Sequence, residues 1–398
     1  MKNGFYVIDA DRHLMEPADL WYRYIDDEFK DRAPYGVGEF GATTVVDGVQ
    51  NNGGTTFNGM DRETLKSLRN TQGLITGFSK DIHWRYKYYD AIVESFSPKS
   101  YIVDMDKENI DAGVLFGSAL LYFNWRDNID IDLVDASCRA YNDWLHEYCS
   151  YAPNRLFGIA AVPMHDPERA IKEAQRAVDL GHVGFYLRPN PLLGKSWHHS
   201  DYDKFYSAVE ELGRPICFHE GGSTNMPQAR LPYNKTFYTR HAMSHPFEQM
   251  LAVISMAGHG VMEQHPDLKV FFAEATCGWV PFLLERLDWL FEHDQLGSDV
   301  QLKERPSFYF RRQGMVSCES GEETLPSYEK LVGPDHLLWA SDYPHPDQIM
   351  KFPYSLDPMV SDKSIPASMI EKVLWDNPNR FFGLNLKKED YAQAKEAA

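Results

Sequence analysis

The sequence predicts an α/β fold: a closed (β/α)8 TIM barrel with a large insertion after its first strand. Three observations predict it. Eight short apolar runs recur along the chain, helix-like segments separate them, and each run is continuously apolar rather than alternating. Strands covered on both faces read this way, and strand–helix alternation repeated about eight times is the pattern of a closed barrel. A doubly wound open sheet is the competing architecture. With 398 residues the chain is long enough to be one such domain, placed here at residues 1–386.

In chain order the runs are 6–10, 113–117, 157–162, 183–187, 215–218, 269–273, 315–318 and 337–340. The clearest helix is 167–180, where Ile171, Ala174 and Val178 recur at helical spacing. Asp166 is placed to cap it, Pro167 to occupy its first position and Gly181 to stop it. Further helices are expected at 201–212, ending at Gly213, and at 250–264 and 281–292. Two segments break the repeat. Residues 27–100, with a Gly/Asn-rich patch at 51–60, form the insertion. It starts on the side where the first strand delivers its chemistry, so it either covers the site or makes a surface or dimer arm. Residues 221–244, rich in Pro, Asn and Arg, read as a loop after the fifth strand, and 387–398 as a surface helix or frayed tail.

Composition excludes several function classes. The formal net charge is −18, from 58 acidic and 40 basic residues, which argues against a nucleic-acid backbone binder. No run reaches the length of about 18 apolar residues that suggests a membrane span, and the start lacks the pattern of a secretory signal. The five cysteines are scattered without a Cys-x-x-Cys pair, so they are expected to be reduced core fillers in a cytoplasmic protein.

The chemistry is expected at strand ends. Asp9, Asp11 and His13 are spaced by two at the end of the first strand, so an extended backbone puts them on one face. A terminal Asp can equally cap a helix. The fifth strand ends at His219 and the eighth at Asp342, and strands one, five and eight can converge at the C-terminal mouth, where barrel enzymes keep their sites. Two imidazoles and two carboxylates, from Asp11, His13, His219 and Asp342, make a mixed N/O set suited to one divalent ion, zinc ahead of manganese.

The segments IDADRHLMEP, PICFHEGG, SDYPHPD and HPDLKVFFAEATCGWVPFLLERLD resemble the amidohydrolase-2 branch of the amidohydrolase superfamily, which includes aminocarboxymuconate-semialdehyde, resorcylate and carboxyvanillate decarboxylases. The likeness runs from the first strand to DNPNRFFG at 376–383. It implies a metal held at Asp11, His13, His219 and Asp342, and non-oxidative decarboxylation of a small aromatic or unsaturated carboxylic acid. One position departs from the pattern. Many decarboxylases carry a histidine at the end of the sixth strand, where this chain has Glu274. Either Glu274 takes an acid/base or supporting role, or His241 or His245 supplies the imidazole.

Arg188, closing the fourth strand, could pair with a substrate carboxylate or form a structural salt bridge. His345 could contact substrate or order its loop, and Glu16 could support the ligands or cap a helix. His198 and His199 read as solvated surface, and Tyr and Phe of the 80–125 region as a ring-binding wall or as core. Asp342 is the natural proton donor and acceptor. Hydrolysis of an amide, ester, lactone or C–C bond by metal-activated water uses the same ligands, and a non-catalytic ligand-binding barrel is the third reading. A homo-oligomer, specifically a dimer, is expected, with a small-molecule partner.

Overall fold

Each of the eight apolar runs folds as a strand, and all pair in parallel in sequence order. In this computed structural model the described residues are 2–17, 19–37, 43–47, 49–51, 87–119, 124–219, 237–293, 300–345 and 351–396. The strands are β1 Ile8–Leu14, β2 Ala112–Gly117, β3 Leu156–Ala161, β4 Gly184–Leu187, β5 Ile216–Phe218, β6 Val270–Phe272, β7 Gly314–Cys318 and β8 Leu337–Trp339. All but Phe157 are buried, as a sheet covered by helices outside and packed side chains inside requires.

The barrel closes just past the end of β8. Asp342 N donates to Asp11 O at 3.0 Å, and His13 N donates to Tyr343 O at 2.6 Å. Sequential order with last strand meeting first is a barrel and excludes the doubly wound alternative, whose strand order reverses at a switch point.

The helices follow from local chemistry. Asp166 accepts from the N–H groups of Glu168 and Arg169 and starts Pro167–Asp179, which buries Ala170, Ala174 and Ala177. Asp203–Leu212 ends at Gly213, whose φ of 65° is the left-handed stop that glycine adopts without strain. The expected helix 250–264 is corrected. A helix runs from Phe237 to Val253, continues as a wider π turn over Ile254–Gly258, and resumes at Val261–Gln264. Its first turns lie in the segment read as loop. Farther along, buried Gln249 donates to Phe218 O at 2.9 Å and Ala273 O at 2.8 Å and so ties the helix to the ends of β5 and β6.

Of the insertion, residues 52–86 lie outside the described residues, so the expected cover over the mouth falls largely there. Its first part forms an antiparallel sheet, Tyr35–Val37, Thr43–Val46 and Val49–Asn51, and Arg32 links Asp47 to Asp130. Pro98–Glu108 is already the helix that leads into β2, so the insertion gives way to the barrel at that helix. The tail is a helix, Lys388–Glu396, anchored where Tyr391 packs on Trp375. All five cysteines are free, and four of them are buried. No described helix is long and apolar enough to cross a membrane.

Candidate active site

Strand β1 aims its polar residues in two directions. Its register against β2 shifts by one between Asp9 and Arg12. A bulge of this kind redirects side chains, so the expected common face of Asp9, Asp11 and His13 is corrected. Asp9 turns to the same side as Arg12. Arg12 Nη1 donates to Asp9 Oδ2 at 3.0 Å and to Glu108 Oε2 at 3.1 Å, with its guanidinium 4.2 Å from the Tyr343 ring centroid. Burial pushes the Asp9 carboxyl up to about 6, with Arg12 partly offsetting it. Asp9 Oδ1 also accepts from Ser341 N at 3.0 Å, pinning the β8 end to β1.

Asp11 and His13 turn the other way, into the barrel mouth, and meet His219 from the end of β5 and Asp342 from the end of β8. His13 Nε2 lies 2.9 Å from His219 Nε2, 3.3 Å from Asp342 Oδ1 and 3.6 Å from Asp11 Oδ1. His219 Nε2 lies 3.3 Å from Asp11 Oδ2. All four residues are buried. Both Asp11 oxygens face these imidazoles, yet neither has a donor in hydrogen-bonding geometry among the described residues. Burial raises the Asp11 carboxyl, against the pull of His219, and burial together with His345 and His219 holds the His13 imidazole well below its ordinary value.

Such a set fits a divalent cation. Ligand atoms about 2.1 Å from one ion lie roughly 3.0–3.4 Å from each other; the pairs His13–His219, His13–Asp342 and His219–Asp11 stand at 2.9, 3.3 and 3.3 Å, and a cation would satisfy the buried Asp11 oxygens. Asp342 has a left-handed φ of 53° and Glu274 one of 54°. Such conformations cost of order 1 kcal/mol and gather at functional sites.

The remaining candidates divide. His345 stacks on His13 with ring centroids 3.9 Å apart and brings Nδ1 to 2.9 Å from Asp342 Oδ1, while its Nε2 meets Ser118 Oγ at 3.2 Å. Glu274 reaches into the mouth: Oε2 is 3.4 Å from His219 Nδ1, and Oε1 is 3.6 Å from His245 Nε2 and 3.7 Å from His345 Nδ1. Burial opposes its ionisation, but His219 and His245 outweigh burial and hold it well below the usual carboxylate range. His241 stacks on His245.

Arg188 is buried, with Nη2 3.5 Å from Glu248 Oε2, a contact that matches the salt bridge among its two expected roles. Glu16 caps no helix. It accepts from Ser118 N at 3.1 Å and Ala119 N at 3.0 Å, fixing the end of β2. His198 stacks on His259, and His199 caps the Ser200–Tyr202 turn. Of the aromatic residues, Phe116 lies beside the ligands, 5.2 Å from the His219 ring, whereas Tyr88, Phe96 and Tyr101 pack with Tyr343 in the core. Sequence reasoning missed Arg12, Ser118 and Ser341. The signal for Arg12 was a lone cation inside an otherwise acidic and apolar strand.

The sequence model of the amidohydrolase family matches residues 8–384. The chain is 27% identical over 298 residues to 2-amino-3-carboxymuconate-6-semialdehyde decarboxylase of Dictyostelium discoideum, covering 74% of this chain and 78% of that one. Among solved structures, an amidohydrolase from Mycobacterium avium subsp. paratuberculosis superposes with a TM-score of 0.72 at 21% identity, covering 97% of this chain and 99% of that one. The 5-carboxyvanillate decarboxylase of Novosphingobium aromaticivorans, solved with manganese and 4-hydroxy-3-methoxy-5-nitrobenzoic acid, superposes with a TM-score of 0.65 at 18% identity, covering 96% and 97%. At these identities the two structures speak for the fold, and the family match over nearly the whole barrel carries the assignment. The chain belongs to the amidohydrolase family.

Proposed function

We propose that this chain is a metal-dependent carboxy-lyase that removes CO2 from a small aromatic or unsaturated carboxylic acid. The observation that carries the reading is the buried cluster in which Asp11, His13 and His219 converge and His13 also meets Asp342 and His345. The decarboxylase relative supports the reaction class. Zinc or manganese suits the donor set, and the manganese in the carboxyvanillate enzyme supports the second choice.

Asp11, His13, His219 and Asp342 would hold the ion, which supplies Lewis acidity toward a substrate carboxylate or ring hydroxyl. Glu274 orients His219 through Nδ1, leaving Nε2 as the ligand atom. Asp342 delivers a proton to the ring carbon that bears the carboxylate. The bond from that carbon to the carboxylate then breaks, its electron pair returns to the ring, and CO2 leaves. His345 Nδ1 holds the Asp342 carboxylate in position and carries its replacement proton. Phe116 provides an apolar wall beside the ligands. The reading includes a homodimer, supported by the exposed Phe282, Trp289 and Leu331 around one surface hollow, and a cytoplasmic location, supported by the free cysteines.

The test is metal analysis of the purified protein, followed by a panel of hydroxybenzoates assayed for CO2 and of lactones and amides assayed for base-consuming hydrolysis. Asp342→Asn is expected to lower kcat by roughly 10²–10⁴-fold, with metal content measured alongside. Turnover of lactones alone would replace the lyase with a hydrolase, and undiminished turnover in Asp342→Asn would remove its role.

A further inference from the structure

The barrel mouth contains a second group of nitrogen and oxygen donors beyond the four ligands. His241 and His245 stand four residues apart on the helix Phe237–Val253, their rings stacked with centroids 3.6 Å apart and planes 20° apart. Glu274, two residues beyond β6, brings Oε1 to 3.6 Å from His245 Nε2. One ligand atom from each of the three lies within 4.8 Å of the others.

We propose that His241, His245 and Glu274 form a second divalent-cation site beside the first, with coordination positions left open for water or a substrate oxygen. The proposal rests on the reading of Asp11, His13, His219 and Asp342 as the first centre. Two histidines and one glutamate are a donor set that zinc takes in open sites, three protein ligands leaving a fourth position for solvent or substrate. Histidines at i and i+4 on one helix face are a geometry that grips one ion from two sides. The three atoms lie within 4.8 Å of one another, against the roughly 3.3 Å edge of a zinc polyhedron.

Charge argues the same way. Asp11, Asp342 and Glu274 place three carboxylates in one mouth, and one dication offsets two of those three charges. Glu274 suits a bridging role because its two oxygens face different neighbours, Oε2 toward the first-centre ligand His219 and Oε1 toward His245 and His345. The position that departs from the histidine of related decarboxylases is thus the one that gives the second site its anionic ligand.

Full-length protein stripped by a chelator and dialysed against zinc alone tests this by metal-to-protein ratio and calorimetric titration. About two ions per chain are expected, falling to about one in His241→Ala and in Glu274→Gln. His241 is only half-buried, so its variant should keep the wild-type melting temperature. Asp11→Ala should lose the other ion and keep this one. A single ion in the wild type, unchanged in His241→Ala, overturns the second site while leaving the first centre standing. If His241→Ala removes an ion but Asp11→Ala removes none, the first-centre reading fails and this site survives.

Discussion

The two sides of β1 carry equally buried polar groups and treat them in opposite ways. On one side Asp9 and Glu108 share Arg12, Ser355 donates to Glu108, and the Tyr343 and Tyr101 rings cover the guanidinium. Both carboxylates there meet a cation of the chain, the one guanidinium. On the other side Asp11 lies among imidazoles, 3.3 Å from His219 Nε2, with no donor in bonding geometry among the described residues. Burying a carboxylate costs several kcal/mol unless something compensates it. The first side meets its buried carboxylates with a cation of the chain, whereas the second is the side whose donor set suits a bound cation.

The largest effect should come from breaking the first side. Arg12→Met leaves Asp9 and Glu108 buried without their cation and should cost about 3–5 kcal/mol in chemical denaturation. A loss below about 1 kcal/mol would show that the network is dispensable. A buried histidine remote from both sides gives the next effect. His182 bonds the Asn142 carbonyl at 3.0 Å, and burial lowers its pKa to about 4. Between about 4 and 6.5 the unfolded chain therefore binds more protons than the folded one. His182's contribution is complete above pH 6.5 and is lost as pH falls through that window, by up to about 3 kcal/mol. His182→Gln should flatten the acid limb of the stability profile, and an unchanged limb would assign the slope elsewhere. The smallest effect sharpens the contrast most. Asp11→Asn should raise the stability of chelator-treated protein by about 1 kcal/mol while weakening zinc binding. If the variant is instead less stable without metal, Asp11 has a structural partner and the two sides are alike.

Strands were legible because both their faces are buried, so an apolar run has one meaning, and their ends were legible because polar residues there had to serve the mouth. His219 and Asp342 were found that way. The β1 bulge was hidden because it is a property of pairing with β2, which sets Asp9 beside Arg12 and away from Asp11. The helix Phe237–Val253 was hidden because Gln249 and His245 point inward, defeating the apolar periodicity that reveals a surface helix. Arg188 could not be assigned from sequence, since its partner Glu248 lies 60 residues on and is brought beside it by packing. The stacking of His345 on His13 depends on the seam and has no local signature.

That seam has a consequence for how the protein is made. The contact between Asp9 and Ser341 spans 332 residues, and the first strand and the end of the last supply three of the four proposed ligands. Contacts so distant in sequence are slow to form and late to be rewarded. A nascent chain emerging from the ribosome thus holds Asp11 and His13 from the outset but completes the ligand set only when the eighth strand arrives. Capture of the proposed ion would then report that the last strand has arrived, and a fragment truncated before Leu337 would lack Asp342 as well as the closing strand.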